Sequence, residues 1–120
     1  MKYFICTLAC TDSGAENCLL GIPSERTERI IPVSQVQTED FISIPALLKL
    51  KDESVHHGLV LKSKKTLLLP RIDVELEILE EEIKTLPKTI DELFGYFRGA
   101  YFGSNMILIL DPEKLLEYVE

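Results

Sequence analysis

The chain reads as a mainly β domain, and three observations carry that expectation. Apolar residues alternate with period two at Phe4, Cys6, Leu8 and Cys10, and again at Ile72, Val74, Leu76 and Ile78. Strands that bury one face have this spacing. Turn signals recur between short apolar runs, at Ser13-Gly14, at Lys62-Ser63-Lys64-Lys65 and around Gly103. The longest apolar run, Met106 to Leu110, is strand-sized. Many short strands separated by turns predict a small antiparallel barrel or a pair of packed barrels, not a parallel βαβ sheet.

Residues 3 to 10 form the first expected strand, Thr11 to Asn17 a turn, and Cys18 to Ile22 the returning arm of a hairpin. Pro23 has no N–H to give a central ladder and marks an edge or the end of regular pairing. Ser24 to Arg29 is either a short helical turn or an extended lead into Ile30-Ile31. Pro32 to Asp40 shows no period. Phe41 to Leu50 is apolar, but Pro45 excludes an uninterrupted helix. Lys51 to Ser54 is charged and turn-like. Leu59-Val60-Leu61 and Thr66 to Leu69 form a hairpin across the lysine-rich turn, and Ile72 to Ile78 is a half-buried strand, the alternative being that it begins as a short irregular segment after Pro70. Leu79 to Thr85 carries three consecutive acids. Thr89 is a candidate N-cap for a helix reaching Phe97, with Asp91 and Glu92 in its first turn. Phe97 to Leu110 reads as strand, tight turn and strand. Asp111 then caps a closing helix with Pro112 at its first position and Leu115, Leu116 and Val119 toward the core.

At 120 residues and 46% hydrophobic, the chain is long and apolar enough for one domain with a real core. A net charge of −7 argues against a nucleic-acid backbone as partner. Lys62, Lys64 and Lys65 are the one dense basic cluster, and they read as a solvated strand edge or turn in preference to a binding patch. No secretory signal is seen, because Asp12 and Glu16 interrupt the N-terminal apolar segment. No run has the length of a membrane span. The expected location is the cytoplasm, where Cys6, Cys10 and Cys18 would be free thiols.

Constellations for catalysis are absent from the pattern, so no catalytic residue and no cofactor is expected. Cys6 and Cys10 on one strand would stand roughly 13 Å apart, too far to share a metal ion. Without a Cys-x-x-Cys pair or a nearby histidine, the cysteines behave as small core residues. His56 and His57 are adjacent, so on a strand they point to opposite faces and do not ligate one metal. Glu75 and Glu77 share a strand face and read as a solvated edge.

Three segments resemble the CheW-like domain, the coupling module of bacterial chemotaxis. Leu19-Leu20-Gly21-Ile22-Pro23 through Arg29-Ile30-Ile31-Pro32-Val33 is similar to the family's opening strand and its "V-x-x-I-I-P-V". Leu67 to Ile78 resembles "gLlVDeVxeVlei", with Pro70 in place of the aspartate. Phe97 to Leu116 resembles "yirGvaxxxdxlixlLDlekLL". Between the first two, Ile44 to Asp52 looks like "vpGvinlRG", with Ala46 and Asp52 at the glycines and Lys51 at the arginine. The family's next strand pair is missing before Gly58.

The resemblance implies two small packed antiparallel β-barrel-like halves of SH3-like type. The first half (about 1–55, with the C-terminal helix) would be incomplete, and 56–110 would form the second. It further implies a non-enzymatic adaptor that couples a chemoreceptor to the histidine kinase CheA, with Arg29, Ile30, Pro32 and Lys51 as partner-binding residues. A shortened half leaves an open edge and hence a capacity for self-association. Alternatives are a degenerate CheW-like protein that binds itself or another signalling partner, and a small β-barrel ligand-binding protein or enzyme with a polar pocket converging on His56, His57 or Cys18.

Overall fold

The computed structural model describes residues 1–9, 17–36, 40–48, 54–85, 95–103 and 106–119. Ten strands are present among them: β1 (Lys2–Ala9), β2 (Asn17–Pro23), β3 (Thr27–Pro32), β4 (Phe41–Ser43), β5 (His57–Leu61), β6 (Thr66–Leu69), β7 (Arg71–Glu77), β8 (Ile83–Lys84), β9 (Phe97–Phe102) and β10 (Met106–Leu110). A helical turn α1 (Ile44–Leu47) and a closing helix α2 (Pro112–Val119) join them, with short 3-10 turns at Ser24–Arg26, Val33–Gln35 and Glu80–Glu82. The mainly β class and the short closing helix are as expected, and the strands lie in two sheets. The expected helix at 89–97, the turn at 11–17 and Lys51 fall wholly or largely outside the described residues.

The strands form two sheets, a six-stranded one in the order β7-β1-β2-β10-β9-β8 and a four-stranded one in the order β3-β5-β6-β4. The hairpins β1–β2, β5–β6 and β9–β10 are antiparallel, as the turn signals predict. Two pairings are parallel instead, β2 with β10 and β4 with β6. The first of these explains why the sheets do not divide the chain near residue 55. β10 returns to lie beside β2, so both ends of the chain build the larger sheet. The middle, 27–69, builds the smaller one, in which β5 and β6 join β3 and β4.

The larger sheet is curled. β7 and β8 lie at its opposite edges, yet only residues 78–82 separate them. Five strand spacings of about 4.8 Å would put the edges of a flat sheet roughly 24 Å apart. Six extended Cα steps reach only about 20 Å, and part of this link is a tight turn. Curling brings the edges together without a β7–β8 ladder among the described residues, so this half is an open sheet and not a closed barrel. Inside the curl, Tyr3, Ile5, Ile78, Ile107 and Ile109 form one buried cluster, with Leu19, Ile83 and Tyr101 against it. Arg98 on β9 fastens the link by pairing with Glu80 and by donating to the Tyr3 hydroxyl at 3.2 Å.

The outer face of this sheet carries the second and larger core. Cys6, Leu8, Leu20, Ile22 and Leu110 meet Leu59, Leu61, Leu67 and Leu69 of the smaller sheet, with Ile44, Tyr96, Phe97 and Leu115 completing the cluster. β1 is therefore buried on both faces, not one: Tyr3 and Ile5 fill the inside while Cys6 and Leu8 face the other sheet. β7 departs from simple alternation as well. Phe4 pairs with Glu75 and Cys6 with Ile72, so β7 holds one extra residue at this point. That bulge reverses its faces. Ile72 packs on the outer core, Ile78 lies in the inner one, and Leu76 is exposed.

Asp111 caps α2 as its sequence predicts: its Oδ1 accepts from the Glu113 and Lys114 backbone N–H groups at 3.1 and 3.3 Å. This satisfies donors that the first helical turn leaves unpaired. Leu115 is fully buried on the core face of the helix. At Gly99 the short strand β8 crosses so closely that an added Cβ would sit 2.5 Å from the Lys84 carbonyl oxygen and 2.7 Å from Ile83 Cγ2. Backbone cannot step aside as a side chain can. Gly99→Ala is predicted to lower stability by about 1–3 kcal/mol, the usual range for overpacking. A shift of the urea midpoint at unchanged slope checks this; an unchanged midpoint contradicts the close crossing.

Candidate partner-binding groove

Three of the four partner-binding candidates lie on β3, an edge strand of the smaller sheet. The Val33 N–H donates to the His56 carbonyl at 2.9 Å and continues the β3–β5 register, in which Ile31 faces Gly58 and Arg29 faces Val60. By the alternation of an antiparallel ladder, Arg29 and Ile31 turn their backbone groups toward β5, while those of Ile30 point to the open edge. Side chains alternate too. Arg29 and Ile31 share one face of the sheet; Ile30, 39% exposed, and Pro32 share the other. The four candidates therefore do not form one surface: two faces of a single strand carry three of them, and Lys51 lies outside the described residues.

On the Arg29 face is a groove of about 310 Å³ lined by Glu28, Arg29, Ile31, Gln35, Val36, Val60, Lys64 and Thr66. Its floor is apolar and its rim charged. Val60 and Thr66 are buried, whereas Glu28, Arg29, Gln35 and Lys64 are exposed. Gly58 lets the floor close: a Cβ there would come within 2.9 Å of Val36 Cγ2 and 3.1 Å of Thr66 Cγ2. The sequence pattern does not reveal this floor, because it joins β3 to strands about thirty residues away. One available signal was the run of three leucines, Leu67 to Leu69, following Thr66 with no charged residue at alternate positions, a pattern suited to a strand buried on both faces.

The rim is electrostatically asymmetric. Lys64 Nζ lies 3.0 Å from Glu28 Oε2. The Lys64 hydrogen bond, then its charge, and to a smaller extent Arg29, hold the Glu28 carboxyl below its ordinary value. Lys65 pairs with Asp40 at 3.2 Å. The lysine-rich turn is thus a solvated hairpin turn, with Lys64 itself in the left-handed region at φ 77°. Arg29 forms no salt bridge among the described residues, and the described lining of the groove holds one carboxylate, Glu28, and two cations, Arg29 and Lys64.

A second exposed feature lies on the larger sheet. Phe102 and Met106 face each other across the β9–β10 hairpin and are 63% and 51% exposed. Nothing in the sequence pattern separates this pair from the buried residues of the same strands.

None of the groups that the ligand-binding alternative relies on is among the described residues that line the groove. His56 is exposed, and its backbone bonds to Val33 and Leu69. His57 is half-buried, with Nδ1 unpaired among the described residues. Neither histidine lines the groove. No cluster of three His, Cys, Asp or Glu side chains forms among the described residues. Cys10 lies outside the described residues, and the Cys18 side chain is likewise undescribed. No helix among the described residues is long and apolar enough to cross a membrane. Compared with known proteins, the chain matches no family model, and no curated protein matches it.

Cys6 is fully buried between the sheets. Burial, with the Asp73 charge adding to it, pushes its thiol from an ordinary 9.0 up to about 12. Above pH 9 the unfolded chain loses this proton while the folded chain keeps it, so the contribution to stability is complete below pH 9 and is lost as pH rises toward 12. Denaturation at pH 8 and pH 10.5 is predicted to show a steeper loss of stability for the natural protein than for Cys6→Ala. Equal slopes would show that Cys6 is not sealed in the core.

Proposed function

We propose that the protein is a cytoplasmic, non-enzymatic adaptor of the chemotaxis coupling type, linking a chemoreceptor to the kinase CheA through protein contacts. The observation that carries this reading is the placement of Arg29, Ile30 and Pro32, the residues singled out by the CheW-like resemblance, on one exposed edge strand bordered by a groove. An apolar floor inside a polar rim is the anatomy of a protein interface, and the exposed Arg29 guanidinium, in no salt bridge among the described residues, suits it for charge-assisted contacts. Self-association is a second reading. It is favoured by the open β3 and β4 edges among the described residues and by the exposed Phe102–Met106 pair.

Calorimetric titration with the C-terminal regulatory domain of a CheA kinase tests the first reading. Micromolar binding is expected, and Arg29→Ala is expected to weaken it about tenfold or more, as when a charged hydrogen bond is lost. The same substitution on an exposed strand should change stability by no more than about 0.5 kcal/mol. No binding by the folded natural protein would remove the kinase reading. Concentration-dependent association in sedimentation would then favour the second.

A further inference from the structure

Taking as its basis the reading of β3 as a partner-contact strand, we propose that the groove receives an extended segment of a protein partner carrying an acidic residue two positions from an apolar one. Arg29 and Ile31 are themselves two positions apart and point to the same face, so a segment running beside β3 meets them in that order. The acid pairs with Arg29, the rim cation that no described carboxylate occupies. Among the described residues of the rim, Glu28 pairs with Lys64 and interacts to a smaller extent with Arg29, so two cations face one carboxylate in a chain whose net charge is −7. This local positive excess selects an anionic segment and disfavours a basic one.

The apolar residue covers the floor made by Ile31, Val36 and Val60. The groove, of about 310 Å³, has room for that side chain while the segment's backbone runs along the β3 edge. The outward N–H and C=O of Ile30 supply one ladder rung to that backbone. Pro32, with no N–H, ends the pairing, and the register shift between Thr27 and Arg29 interrupts it on the other side. The edge thus admits a short segment and resists a long strand, and specificity rests on the two side chains more than on a continuous ladder.

Two peptides with acetylated and amidated ends test this, each five residues long and built on threonine. One has glutamate at the second position and leucine at the fourth; the other has lysine in place of the glutamate. They are titrated against ¹⁵N-labelled full-length protein. The glutamate peptide should bind with a millimolar or tighter Kd and shift the amides of Ile31, Gly58, Val60 and Thr66. The lysine peptide should bind at least about tenfold more weakly. Arg29→Gln should lower affinity for the glutamate peptide by a similar factor, and Lys62→Gln, outside the groove, should not. Equal binding of both peptides, shifts elsewhere, no effect of Arg29→Gln, or no binding would overturn the proposal. If the kinase domain binds and the glutamate peptide does not, the segment proposal fails while the adaptor reading stands. If the peptide binds and the kinase domain does not, the adaptor reading fails and the groove keeps its ligand class.

Discussion

The five residues between β7 and β8 constrain the rest of the molecule. They join opposite edges of a six-stranded sheet over a distance that a flat sheet would not allow. The sheet curls, and curling gives it an inside, which Tyr3, Ile5, Ile78, Ile107 and Ile109 fill. The convex outside is then free to take the smaller sheet and α2 on a second apolar surface. Two cores back to back on one sheet explain why β1, β2 and β10 carry apolar residues at successive positions. The Arg98 contacts to Glu80 and Tyr3 hold the link where the edges approach.

The parallel pairing of β2 with β10 is the second determinant. It draws the two ends of the chain into one sheet and leaves residues 27–69 as an inserted sheet whose central strands β5 and β6 are buried on both faces while its edge strand β3 is largely exposed. Leu59, Leu61, Leu67 and Leu69 spend the inner face of that insert on the common core. Its other face is only partly closed by Val36 and the Val33–Gln35 turn, and the remaining opening is the groove. The candidate site is thus a consequence of the architecture: the insert has too few strands to seal itself.

What the sequence made legible was local. The three hairpins follow from turn chemistry between apolar runs, and the Asp111-Pro112 start of α2 follows from the preference of helix ends for such residues. Long-range features were hidden. The β2–β10 pairing joins segments nearly ninety residues apart, and no local pattern encodes it. The β7 bulge was hidden because Ile72, Val74, Leu76 and Ile78 keep perfect alternation in sequence while the strand changes face. At the site, similarity to the CheW-like segments pointed to Arg29, Ile30 and Pro32, but not to the fact that Arg29 stands on the opposite face from the other two. The floor under Arg29 was invisible because β5 and β6 supply it across the sheet.

The functional claim is that a kinase partner docks on the inserted sheet at the β3 side, not on the exposed Phe102–Met106 pair of the curled sheet. Hydrogen exchange followed by mass spectrometry, with and without the CheA regulatory domain, tests this most directly. Slower exchange at 27–36 and 57–66, with 97–102 and 106–110 unchanged, is the predicted result. Protection confined to the β9–β10 hairpin would contradict it.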